Sequence, residues 1–198
     1  PPRSTLFPYT TLFRSAGVYK ISDTLVYDKR KIMLKGEAGS VIEQTDPAKD
    51  IFYFDRIFRA TIRNLTLRGG QRQLNFFTDN NDMTMLDIRD CRFERSGTFA
   101  VSVENWLIDG VPTAPYRIAW NNGKPTLTPQ DLSRGEWWWN STQLLIRYCA
   151  FVDCREVLEA GCDMTLLADS TVEMGDNAAL AAVRVHNNVN FEIGRAHV

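Results

Sequence analysis

Ile62-Arg63-Asn64-Leu65-Thr66-Leu67 is the stretch that decides the fold, because the chain repeats it. It returns as Ile88-Arg89-Asp90-Cys91-Arg92-Phe93, as Ile146-Arg147-Tyr148-Cys149-Ala150-Phe151 and, more faintly, as Leu167-Ala168-Asp169-Ser170-Thr171-Val172, at offsets of 26, 58 and 21 residues. Each copy alternates apolar and polar residues on either side of one polar corner. It then passes a small-residue turn into a third apolar run such as Phe99 to Val103, a pattern of short strands with no sustained helical period. Such a unit cannot bury its own apolar face, so units must stack on one another, about 4.8 Å per layer. The expected fold is an all-β parallel β-helix, a solenoid of coils. The 58-residue step is one coil carrying an insertion of about 32 residues between Asn105 and Ser141.

Equal repeat positions become columns of side chains. Leu65, Cys91, Cys149 and Ser170 form one expected inward column, and Leu67, Phe93, Phe151 and Val172 another. Stacked inside, Cys91 and Cys149 read as small buried hydrophobes, and Cys154 and Cys162 as packing residues. Asn64, Asp90 and Asp169 share the corner, where a side-chain ladder is expected to serve backbone groups freed by the bend, with Tyr148 interrupting it. Arg63, Arg89 and Arg147 form an outward column that could grip the carboxylates of an acidic polysaccharide, although the favoured reading is a solvated edge in which Asp87 offsets their repulsion. Extending the 58-residue step through the third strand sets Ser96 on Cys154, Phe99 on Val157, Ala100 on Leu158 and Asn105 on Asp163.

Composition narrows the function. Of 198 residues, 44% are apolar and 23 Lys+Arg face 24 Asp+Glu, the balance of a globular domain or a piece of one. No run approaches the roughly 18 apolar residues of a membrane helix. The near-neutral charge gives no nucleic-acid footprint, so the expected partners include neither nucleic acid nor membrane. The four Cys include no C-x-x-C pair, which leaves zinc-finger and thioredoxin-like readings without their spacing.

The ends read differently. Residues 5 to 15, Thr-Leu-Phe-Pro-Tyr-Thr-Thr-Leu-Phe-Arg-Ser, resemble a translated sequencing-library adapter, and residues 193 to 198, Ile-Gly-Arg-Ala-His-Val, resemble the complementary one. Residues 1–15 and 193–198 are therefore expected to be artefact, and 16–192 a β-helix fragment cut at both sides, of net charge −4. His186 is then its one histidine, too few for a multi-His metal site.

Gly17-Val18-Tyr19-Lys20-Ile21-Ser22-Asp23-Thr24-Leu25, Ile32-Met33-Leu34-Lys35-Gly36-Glu37 and Gly39-Ser40-Val41-Ile42, together with the repeats, resemble the pectate-lyase-like right-handed β-helix superfamily over most of residues 17 to 192. The resemblance implies a right-handed coil, extracellular or cell-surface placement and a polysaccharide partner. It does not choose an activity, because the superfamily includes lyases, hydrolases, epimerases and phage tailspikes.

In that superfamily the loop after the third strand borders the substrate groove. Asp79, Asn105, Asp163 and Arg184 fall there in the repeat alignment. Asp79 and Asp163 would stand two layers apart, about 9.6 Å, near the upper end of the carboxylate separation of inverting glycosidases. Polygalacturonase-like members hold an Asn-Thr-Asp and an Asp-Asp pair in such a groove, whereas this chain has Phe77-Thr78-Asp79 and no Asp-Asp pair. The expected catalytic residues are Asp79, Asp163 and Arg184. No cofactor is required, although Asp79, Asp82 and Asp163 could hold calcium.

The insertion contains all five Trp residues. Asn105, Trp106, Trp120, Trp137, Trp138 and Trp139 are the candidate saccharide contacts, since indole faces stack on sugar C–H faces; a satellite core is the other use for those rings. Tyr116 to Trp120 and Lys124 to Thr128 flank Asn121-Asn122-Gly123 as a hairpin. Two functions stand: a secreted polysaccharide lyase or glycoside hydrolase, and a non-catalytic shaft or glycan-binding surface protein of the tailspike kind.

Overall fold

The computed structural model describes residues 10–13, 15–78, 84–103, 107–108, 111–112, 116–121, 124–129, 143–161, 164–179, 182–185 and 190–194. Only the backbone is described for 10–13, 56, 78, 190, 191 and the strands between 107 and 129. Every element among these residues is a strand.

Three parallel sheets wrap one core, and each coil contributes one strand to each sheet. The first sheet runs β1 (Thr10–Phe13), β4 (Lys31–Gly36), β7 (Arg59–Arg63), β10 (Met85–Arg89), β17 (Gln143–Arg147), β20 (Met164–Ala168) and β23 (Asn190–Gly194). The second runs β2 (Gly17–Ile21), β5 (Ser40–Gln44), β8 (Thr66–Gly69), β11 (Arg92–Glu94), β18 (Ala150–Val152) and β21 (Thr171–Glu173). The third runs β3 (Leu25–Tyr27), β6 (Phe52–Ile57), β9 (Leu74–Thr78), β12 (Phe99–Val103), β19 (Glu156–Ala160) and β22 (Val183–Val185). The chain is thus a parallel β-solenoid, and β1 and β23 place the backbone of Thr10–Phe13 and Asn190–Gly194 on the two edges of the first sheet.

Register follows the repeat. Ile62 pairs with Ile88, Ile88 with Ile146 and Ile146 with Leu167, which reproduces the offsets of 26, 58 and 21. Alternation then sorts the side chains: along β4, Ile32, Leu34 and Gly36 are buried while Lys31, Met33 and Lys35 are exposed. Ile42, Leu67, Phe93, Phe151 and Val172 stack as one buried column, with the Phe93 and Phe151 rings 4.9 Å apart and 7° from parallel. Leu65, Cys91, Cys149 and Ser170 are buried as well. The Cys91 and Cys149 thiols donate to the carbonyls of Arg89 and Arg147, at 3.2 and 3.3 Å, and Cys154 is a third buried free thiol. Cys162 lies outside the described residues.

The corner between the first and second sheets works differently from expectation. Asn64, Asp90, Tyr148 and Asp169 all have φ between 50° and 55°, the left-handed region. Their own backbone N–H groups donate across to the carbonyls of Arg89, Arg147, Ala168 and Gly194, at 3.1–3.3 Å, and the side chain that serves the corner is that of Ser170, whose Oγ accepts the Cys149 N–H at 3.1 Å. What the corner demands is a residue that tolerates positive φ, which Asn and Asp do better than most. Tyr148 takes the same conformation and interrupts nothing. Gly36 occupies the matching position of an earlier coil without the positive φ, and close packing is its constraint, since an added Cβ would stand 2.2 Å from the Asn64 carbonyl oxygen.

A second difference lies in the third sheet. Phe99 pairs with Glu156 and Val101 with Leu158, an offset of 57 where the repeat suggested 58. The turn explains it. Arg155 N–H donates to the Ser96 carbonyl and Glu156 N–H to that of Thr98, so the lower turn holds Gly97 and the upper turn omits a residue. Ala100 consequently lies over Val157, and Phe99 does not.

The insertion carries two antiparallel hairpins, β13 (Leu107–Ile108) with β14 (Val111–Pro112), and β15 (Tyr116–Asn121) with β16 (Lys124–Pro129). Asn121 pairs with Lys124, leaving two residues for the turn, as the Asn-Gly signal anticipated.

Candidate functional site

The outward faces of the three sheets carry different chemistry. On the second sheet, Lys20, Glu43, Arg68 and Glu94 stand in register with alternating sign. Arg68 reaches Glu94 at 2.7 Å and Glu43 at 3.8 Å, and Arg92 reaches Glu94 at 2.6 Å. Burial would raise the Glu94 carboxyl, but the hydrogen bonds from Arg92 and Arg68 outweigh it and hold the group below its ordinary range. This is a self-satisfied ion-pair ladder.

The third sheet presents functional groups instead. Its outward column reads Tyr53, Asn75, Ser102, Glu159 and Arg184 in successive coils. An outward strand position is normally wet, yet Asn75 and Ser102 are 0% exposed, so both faces of this sheet's centre are withdrawn from water. Ser102 donates to the Glu159 carboxylate at 3.1 Å. Asn75 donates through Nδ2 to Asp50 at 2.9 Å, and its Oδ1 has no hydrogen-bond partner among the described residues. A buried acceptor left unpaired costs about 1–3 kcal/mol, so it calls for a donor or cation.

Two ion pairs frame the column. The Asp50 carboxylate accepts Nε and the backbone N–H of Arg72, all at 3.1 Å, and is 3.0 Å from Nη2. At the other end Arg184 grips the buried Glu156 in bidentate fashion, Nε to Oε2 at 2.5 Å and Nη2 to Oε1 at 2.8 Å, with its guanidinium 5.9 Å from the Phe99 ring centre. Carboxylates, cations, an amide and a hydroxyl thus converge on one face of the solenoid, beside Val103, where β12 ends and the insertion departs.

Of the residues expected from sequence, Arg184 is the one whose side chain is described. It stands within the third strand of its coil, opposite Glu159, and not in the loop that follows. Trp120 is placed by backbone on β15, opposite Pro125. Asp79, Asp82, Asn105, Trp106, Trp137, Trp138, Trp139 and Asp163 lie outside the described residues. Among the described residues no group of three or more His, Cys, Asp or Glu is placed to hold a metal ion. No helix long and apolar enough to cross a membrane occurs among the described residues.

Asn75, Ser102 and Glu159 had a legible signal. In Leu74-Asn75-Phe76, Val101-Ser102-Val103, Leu158-Glu159-Ala160 and Val183-Arg184-Val185, one polar residue stands between two apolar ones at the same point of successive coils. No known protein family, curated protein or solved structure matches the chain.

Proposed function

We propose that the chain is part of a right-handed, pectate-lyase-like β-helix protein that handles a polysaccharide on the outward face of its third sheet. The observation that supports this most is the Tyr53, Asn75, Ser102, Glu159, Arg184 column: a polar row in which Tyr53, Glu159 and Arg184 reach the surface while Asn75 and Ser102 between them are buried. Sugars supply hydroxyl donors and acceptors at short, regular spacing, and a parallel ladder offers matching groups about every 4.8 Å. Polymers of this class lie outside the cell, and extracellular or surface placement follows from the same reading.

Within it, Glu159 is the described carboxylate best placed for proton transfer, since the Ser102 hydroxyl orients it and it is not fully buried. Asp50 and Glu156 are each committed to an arginine and act as fixed anchors. Asp79, Asp163 and the Trp-bearing insertion remain the sequence-derived partners of this face. The shaft reading keeps the same surface and omits the chemistry.

The test is a polysaccharide panel scored for binding, for new reducing ends and for the ultraviolet absorbance of unsaturated uronates. A hydrolase or lyase gives turnover that Glu159→Gln or Asp163→Asn removes while binding survives. Binding without turnover selects the shaft. Failure to bind any glycan, in a chain whose spectrum shows intact β-structure, overturns the proposal.

A further inference from the structure

The insertion interrupts the solenoid at one joint. Elsewhere the crossing from the third sheet back to the first takes between one residue (58, after β6) and six (79–84, after β9), but from β12 to β17 it takes residues 104–142. The sheets nevertheless continue across this joint in register, β10 on β17, β11 on β18 and β12 on β19. A long connection costs more chain entropy to close than a short one, and a coil is held only by its neighbours. The stack is therefore easiest to part here.

Two of the cysteines stand at that joint. In the inward column Leu65, Cys91, Cys149, Ser170, thiols occupy the two coils that the insertion separates and neither of the other positions. Arg92 pairs with Ala150, and the Ala150 N–H donates to the Cys91 carbonyl at 2.9 Å, so Cys149 lies one layer above Cys91. One layer is about 4.8 Å, inside the roughly 4.4–6.8 Å between Cα atoms that a disulfide spans.

The side chains match as well. Cys91 Sγ lies 3.2 Å from the Arg89 carbonyl and 3.7 Å from that of Ile62 in the coil below; Cys149 Sγ lies 3.3 Å from the Arg147 carbonyl and 3.9 Å from that of Ile88. The Cys149 thiol thus leans toward the coil of Cys91, and the two are within hydrogen-bond reach. Cys154 is the internal comparator: it is buried too, but β18 separates it from the pair and it stands over Ser96.

We infer that Cys91 and Cys149 are a redox pair that closes into a disulfide as the coils form under oxidising conditions, clamping the joint that the insertion opens. Both are thiols in the structure and only 2% and 3% exposed, so the exchange precedes their burial. One thiolate attacks glutathione disulfide and expels one glutathione; the other then displaces the second glutathione from the mixed disulfide. The two protein thiols lose two electrons and two protons, and one glutathione disulfide is reduced to two glutathione molecules. The ring so closed, residues 91–149, contains the whole insertion. The inference does not rest on the role of the third-sheet column.

The experiment refolds the full chain from urea with glutathione and glutathione disulfide, or with a reductant alone, then unfolds, alkylates, digests and maps it by mass. A peptide linking Cys91 to Cys149 should appear only in the oxidised sample, with Cys154 and Cys162 alkylated in both. The linked chain should show a urea midpoint about 1–2 M higher. Cys149→Ala should lose the link and the redox dependence of the midpoint, and Cys154→Ala should keep both. Far-ultraviolet circular dichroism confirms that each sample is folded. Four free thiols in the chain folded under oxidising conditions overturn the inference, as does a link from Cys91 or Cys149 to Cys154 or Cys162. So does a linked chain that is less stable than the reduced one or lacks its spectrum.

Discussion

Phe93→Ala should be among the most damaging single changes in this chain. The side chain is fully buried in the middle coil, paired in register with Leu67 below and Phe151 above, and its ring lies 4.9 Å from that of Phe151 at 7°. Removing a buried Phe side chain costs about 3–5 kcal/mol through lost transfer energy and the cavity left behind. Stacking with Phe151 adds to area burial by about 0.5–1.5 kcal/mol, and that part should emerge as coupling when Phe151→Ala is combined with it. For a chain of this size each kcal/mol shifts the melting temperature by about 2–4 °C, so the expected drop is about 6–20 °C. A coil contacts only its neighbours, which leaves little room for the site to repack from elsewhere. Urea unfolding followed by far-ultraviolet circular dichroism reads the change directly. A loss below about 1 kcal/mol, or no coupling with Phe151, would refute the columnar core.

Tyr148→Asn should stabilise the chain by about 0.5–1 kcal/mol in the same assay, because the exposed tyrosine holds a positive φ that Asn adopts at lower cost. Gly36→Ala should destabilise it by more than that gain, since the new Cβ meets the Asn64 backbone. Glu94 has a depressed carboxyl, so its contribution is present above the unfolded value and is lost as pH falls through the lower folded value; Glu94→Gln should flatten that acid limb of a stability–pH curve. Cys149 is pushed far up, first by its hydrogen bond with Cys91 and then by burial, and Cys154 is raised by burial at a separate turn; with Cys91 also buried, these three thiols should resist a thiol-specific reagent until the chain is unfolded. Trimming residues 1–15 and 193–198 should leave the main unfolding transition within about 1 kcal/mol, because the only strand residues it removes are β1 and the last two of β23, which lie on the outer edges of the first sheet.

The repeat carried most of the fold in plain sight. Ile62, Ile88, Ile146 and Leu167 are pinned by alternation and by a corner that only certain backbones can turn, and both constraints are written in adjacent residues. The third strand slipped because turn length is not periodic: Gly97 has no counterpart above it, and one residue of difference changes every pairing that follows. The polar column escaped notice for another reason. Asn75 and Ser102 are single polar residues inside apolar runs, which read as strand interior until the sheet shows that their shared direction is outward. Charge is legible in part: the repeat alone aligns Arg63, Arg89 and Arg147 with Asp87 beside them, whereas Lys31, Lys35 and Arg59 join that face only once β4 and β7 pair.

The claim on which the rest depends is the coil register, because it decides which side chains share a face. Nuclear Overhauser contacts of the Phe93 ring in isotopically labelled protein test it most directly. The account predicts strong contacts from that ring to the Leu67 methyls on one side and to the Phe151 ring on the other. Contacts to only one of them, or to residues displaced by one along either neighbouring strand, would contradict it.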